Sequence, residues 1–223
     1  MIGAAKDHAR RLYVGYLAIP TRHRRFLQLA IPVTLALMIG SGGAIAVRQP
    51  TWGDGVWETA SAKVYEGVAL VEPYAMIDVM APPVDGETGL HLVVLPGKRG
   101  ARDELAGFAG QRVRLHGYEI RRDGRRIVEL DTAREAPIET IEVAGSSRGR
   151  SIRWSDDERV TLDGEIIDSK CYIGAMKPGH GRGHKSCAIN CIGGGIPPVL
   201  LTRAGGEPRY HILTALDGSG LRE

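Results

Sequence analysis

A mainly β chain behind one N-terminal transmembrane helix is the fold class this sequence predicts, on three observations. Residues Phe26 to Val47 carry no charged side chain. Beyond them lie short strand-like runs punctuated by glycine, one pair joined by Asp123-Gly124, the dipeptide favoured at a tight hairpin. All three cysteines fall in one stretch, Gly164 to Pro198, where a glycine-rich loop precedes a short helical pattern.

Residues 1–25 form a basic segment, with Lys6, Arg10, Arg11, Arg22, Arg24 and Arg25 against the single acid Asp7. At about 1.5 Å per residue, the uncharged run 26–47 reaches across a hydrocarbon core of about 30 Å. Cations crowd its N-terminal side, so the positive-inside rule places residues 1–25 in the cytoplasm and everything after Arg48 across the membrane. Ala44-Ile45-Ala46 resembles a signal-peptidase site, which makes a cleaved export signal the rival to an uncleaved anchor. Residues 48–62 read as a linker leaving the bilayer, with Trp52 and Trp57 suited to its outer interface.

Residues 63–143 read as a β domain. Strands are expected at Val64–Val71 and Leu90–Leu95, and a small helix at Ala101–Ala109 with Leu105 and Phe108 inward. Arg112, Arg114 and His116 then alternate with Val113 and Leu115, and Asp123-Gly124 turns that strand back into Ile127–Leu130. Strands, a short helix between the third and fourth, and a closing hairpin point to a small OB-like barrel, the oligonucleotide/oligosaccharide-binding type. That architecture implies no ligand by itself. The arginines at 112, 114, 121, 122, 125 and 126 read as the solvated side of a hairpin. Of the chain's formal charge of +3, residues 1–25 carry +5, leaving about −2 on the exported part, which argues against a nucleic-acid partner.

Residues 144–158, beginning Ala144-Gly145-Ser146-Ser147, read as a second linker. The segment 159–223 then opens with a strand from Val160 to Ile167 and ends in a hairpin, Val199–Thr202 with Tyr210–Thr214 through Gly205-Gly206. It lacks a counterpart of the Gln111–Asp131 hairpin, so it reads as a second, abbreviated OB-like β unit carrying a Cys/His loop-helix insertion. Its raw edges require cover, from the first unit or from a membrane or periplasmic partner over residues 199–223.

Within that insertion, Cys171, His180, His184, Cys187 and Cys191 follow C-x8-H-x3-H-x2-C-x3-C, with Met176 between. A helix starting near His184 puts His184, Cys187 and Cys191 on one face, and Gly193-Gly194-Gly195 with Pro197-Pro198 ends it. Thiolate and imidazole together suit zinc, copper or a haem iron, and not calcium or magnesium. A disulfide from Cys171 to Cys187 or Cys191 is the other reading of the same residues, but three cysteines cannot all pair within one chain. C-x3-C is neither the C-x-x-C of thioredoxin-like enzymes nor the C-x-x-C-H of haem attachment. Nor do a strained nucleophile turn or a phosphate loop accompany Ser169 or the glycine run.

The strings Asp168-Ser169-Lys170-Cys171-Tyr172-Ile173-Gly174-Ala175-Met176-Lys177-Pro178-Gly179 and His184-Lys185-Ser186-Cys187-Ala188-Ile189-Asn190-Cys191-Ile192-Gly193-Gly194-Gly195-Ile196-Pro197-Pro198 resemble a signature of bacterial membrane-anchored proteins of unknown function. The resemblance extends more loosely over the anchor and the segment after it. It implies architecture and compartment: a single-pass inner-membrane protein with its C-terminal domains in the periplasm. The leading expectation is a metal- or haem-binding accessory protein for electron transfer or metal delivery to a membrane complex. Its ligands are drawn from Cys171, His184, Cys187 and Cys191, with His180 and Met176 next. The alternatives are a non-catalytic, disulfide-stapled scaffold or assembly module and, third, a thiol-disulfide oxidoreductase centred on Cys187, beside His184 and Lys185.

Overall fold

The computed structural model describes residues 19–48, 55–81, 88–142 and 159–221. Residues 1–18, the stretch 49–54 with Trp52, and residues 143–158 lie outside these, so the second linker falls wholly outside the described residues and the basic tail and first linker do so in part. Helix α1, Thr21–Arg48, contains the uncharged run and buries none of its residues. It is long and apolar enough to cross a membrane, a property that an export signal near an N-terminus shares.

Residues 52–223 form one compact unit. Its first part carries β1 (Val56–Trp57), β2 (Lys63–Leu70), β3 (Met76–Ala81), β4 (Gly89–Leu95), β5 (Arg99–Gly100), α2 (Arg102–Ala106), β6 (Arg112–Arg122), β7 (Arg125–Leu130) and β8 (Ile138–Thr140). Strand β2 pairs antiparallel with β3 and β6, β3 with β4, and β6 with β7. Parallel pairing of β4 with β7, Val93 opposite Val128, then closes a five-stranded barrel. The expected hairpin is present: Asp123 and Gly124 both take positive φ, 49° and 69°, the conformation a two-residue hairpin turn demands. The sequence reading passed over β3. Met76 to Val79 are all buried, so no alternation marks it as a strand.

The second part carries β9 (Glu165–Asp168), a single wide helical turn (Cys171–Ala175), α3 (Lys185–Gly193), β10 (Pro198–Ala204) and β11 (Glu207–Ile212). Its three strands make a separate antiparallel sheet in the order β11-β10-β9. The first strand starts later than the expected Val160, and Cys171 stands on the wide turn after it rather than at its end.

Two apolar clusters explain the packing. Tyr65, Ile77, Val93, Leu105, Leu115, Val128 and Leu130 fill the barrel. Outward residues of the same strands, Met76, Leu92, Val94, Ile120 and Ile127, meet Ile167, Cys171, Tyr172, Ile173, Cys191, Ile196, Val199 and Leu201. The barrel thus buries both faces of β4 and β7, and the first part itself packs against the second. Tyr74 anchors the chain end: its hydroxyl donates to Leu213 O at 2.6 Å and accepts from Leu221 N–H at 2.9 Å. The hairpin arginines are largely engaged: Arg114 pairs with Glu66, Arg126 and Arg121 with buried Glu119, and Arg122 lies 4.4 Å over the Tyr172 ring.

The glycine run after α3 does more than end a helix. Gly100 N–H donates to Gly194 O at 2.8 Å, and a Cβ on Gly194 would stand 1.8 Å from Lys98 O. Side chains are absent here because two backbones touch, and this contact docks α3 onto β5.

Candidate metal centre

Strand β9 ends on Asp168, which is wholly buried. Its Oδ1 accepts the Cys171 N–H at 2.8 Å, capping the wide turn, while its Oδ2 lies 2.9 Å from His184 Nε2. A carboxylate at this point therefore ties the turn carrying Cys171 to the start of α3. Lys170, 3 % exposed, reaches the outer side of the barrel, donating to Leu95 O at 2.7 Å and Gly97 O at 2.9 Å and pairing with the Glu129 carboxylate.

Helix α3 begins after His184, and offsets of three and four residues carry Cys187 and Cys191 along the same side. Cys171, Cys187 and Cys191 offer sulfur atoms that all lie within 4.8 Å of one another, and Asp168, Cys171 and His184 offer a second such group. The two groups share Cys171. Cys171 and Cys191 Sγ are 3.8 Å apart. That equals the edge, about 3.8 Å, of a tetrahedron with metal–sulfur bonds of about 2.3 Å. These residues can hold a metal ion.

All three cysteines are free thiols, so the disulfide considered between Cys171 and Cys187 or Cys191 is not formed. The sulfurs of the nearest pair stand well beyond a bond of about 2.0 Å. Burial, and then the Asp168 carboxylate, push Cys191 up to about 11 and Cys171 higher still. Both thiols favour the protonated form until something displaces the proton.

Comparison with known proteins finds no match: no family model, no curated protein and no solved structure. The chain's own chemistry must therefore carry the functional reading.

Four of the six sequence-selected donors converge: Cys171, His184, Cys187 and Cys191 belong to the two groups. His180 belongs to neither. His180 Nδ1 sits 4.0 Å from Glu165 Oε2 with its ring against Tyr172, and Met176 is 44 % exposed just past the wide turn. Asp168 is the donor the sequence reading missed. Its signal was present, an acid at the end of a strand three residues before a cysteine, but that spacing also describes an ordinary turn cap.

Proposed function

We propose that this is a membrane-anchored periplasmic protein that binds a transition metal through Cys171, Cys187 and Cys191, as an accessory for electron transfer or metal delivery to a membrane complex. The observation that carries the reading is the mutual approach of three thiols, two of them buried, on two separate elements. Soft thiolates with a neighbouring imidazole favour zinc or copper. A donor set this compact and buried suits a bare ion better than a haem, whose macrocycle needs flat space beside the axial ligand. When bound, the metal supplies Lewis-acid or redox chemistry. The chain supplies deprotonated sulfur, an oriented imidazole and an apolar wall.

Export and anchoring are supported by α1, by the cations on its N-terminal side and by the resemblance to bacterial membrane-anchored proteins. The OB-like reading of the barrel is supported by its order β2-β3-β4-β7-β6, its parallel closure and α2 between the third and fourth strands. The oxidoreductase alternative centres on Cys187, and the two thiols beside it, Cys171 and Cys191, are held protonated by burial, which makes either a poor second partner in an exchange that requires a ready thiolate. The scaffold alternative makes a separate prediction, a protein without stoichiometric metal.

The test is metal content, by mass spectrometry, of full-length protein purified in detergent without chelators. Loss in both Cys187→Ser and Cys191→Ser is expected. Unchanged stoichiometry in the two variants removes these cysteines as ligands.

A further inference from the structure

Charge balance and the shared position of Cys171 bear on how many ions the centre takes, an inference that rests on the metal-binding reading above. Metal binding deprotonates cysteine, so Cys171, Cys187, Cys191 and Asp168 bring four negative charges to a site where Asp168, Cys171 and Cys191 are all at most 5 % exposed. With His184 neutral, one divalent ion leaves two of those charges uncompensated, and buried unpaired charge is costly. Of the neighbouring cations, Lys170 is engaged by Glu129 and two carbonyls, Arg122 lies against the Tyr172 ring, and Arg182 and Lys185 are exposed, where solvent screens them. Two divalent ions balance the four.

The geometry offers two places. Cys171, Cys187 and Cys191 surround one, and Asp168, Cys171 and His184 surround the other, with the Cys171 sulfur common to both. Thiolate sulfur carries enough lone pairs to ligate two metals. The 2.9 Å between His184 Nε2 and Asp168 Oδ2 is within about half an ångström of the roughly 3.3 Å separating two nitrogen or oxygen ligands on one tetrahedral ion. Each place also has its own approach. Cys187 is half-buried, and a cleft of about 540 Å³, lined by Ile166, His180, His184, Ala188 and Ile189, opens on the His184 side.

We propose that the centre takes two divalent ions of the zinc class bridged by the Cys171 thiolate, one held with Cys187 and Cys191 and the other with His184 and Asp168. The experiment strips the full-length protein in detergent and titrates it with Co(II) and then Zn(II). Metal per chain is counted by mass spectrometry, thiolate-to-cobalt absorption is followed, and far-ultraviolet circular dichroism monitors the fold. Wild type saturates at two equivalents. Asp168→Asn, whose amide oxygen still accepts the Cys171 N–H, and His184→Gln each saturate at one and keep the cobalt–thiolate absorption. Cys171→Ser falls below one. Should Asp168→Asn fail to fold, His184→Gln carries the same test. Wild type saturating at one equivalent, or both variants still taking two, overturns the bridged pair while leaving metal binding standing. A wild type that takes none overturns the metal reading itself.

Discussion

Replacing Lys170 by methionine tests whether the second sheet and the barrel are one structure. The ammonium is 3 % exposed and the partner carboxylate of Glu129 is 5 % exposed, so the pair is removed from solvent screening. Methionine keeps the volume of the stem but leaves Glu129 charged and buried, and deprives Leu95 O and Gly97 O of their donor. Breaking one side of such a pair costs about 3–5 kcal/mol. With a urea slope of about 2 kcal/mol/M, the unfolding midpoint should fall by roughly 1.5–2.5 M. Equilibrium unfolding in detergent, followed by tryptophan fluorescence, is a suitable assay, because the Trp57 ring lies 5.8 Å from the Lys170 ammonium. The double variant Lys170→Met/Glu129→Leu should recover most of the loss, since an apolar pair of similar volume can replace a buried ion pair. A single variant that loses less than about 1 kcal/mol refutes the claim that this pair locks the two parts together.

Three further outcomes follow from the same contacts. In metal-free protein, Cys191 holds its proton to about 11 while the unfolded chain releases it near 9.0. Its contribution is therefore complete below pH 9 and falls as pH climbs toward 11, by about 2–3 kcal/mol in all. Thermal melts between pH 8.5 and 10 should decline less steeply for Cys191→Ala than for wild type; equal slopes contradict the assignment. Gly194→Ala should cost at least about 3 kcal/mol or prevent folding, because its Cβ would meet Lys98 O at 1.8 Å, whereas Gly183→Ala meets nothing within 4 Å and should cost less than about 1 kcal/mol. Arg122→Ala should lose about 1–2 kcal/mol through its stacking on Tyr172, read as a lower denaturation midpoint.

Local signals made several elements legible. The Asp123-Gly124 hairpin, α3 behind His184 with its glycine stop, and the uncharged helix each declare themselves within a dozen or two residues, because turn chemistry, helical offsets and hydropathy act at short range. Strand β3 did not, since burial on both faces erases the alternation by which a half-buried strand is recognised. The C-terminal segment looked like an abbreviated copy needing cover. The outer face of the barrel packs on one side of it, through Met76, Leu92, Val94, Ile120 and Ile127, while β9 and β11 stand at the edges of its three-stranded sheet. The same continuity makes the Cys/His loop-helix insertion part of a core, which its composition did not show.

By itself the sequence determined the donor types, the shared helical face of His184, Cys187 and Cys191, and an apolar span able to cross a bilayer, all of which depend on the order of neighbouring residues. Only the tertiary structure decided that Cys171 meets Cys191 across 20 positions, that Asp168 joins the donors while His180 does not, and that Lys170 spends its charge 75 residues away on Leu95 O. Those outcomes depend on how β9 and α3 are pressed against a closed barrel, and packing between distant segments leaves no periodic mark in the chain.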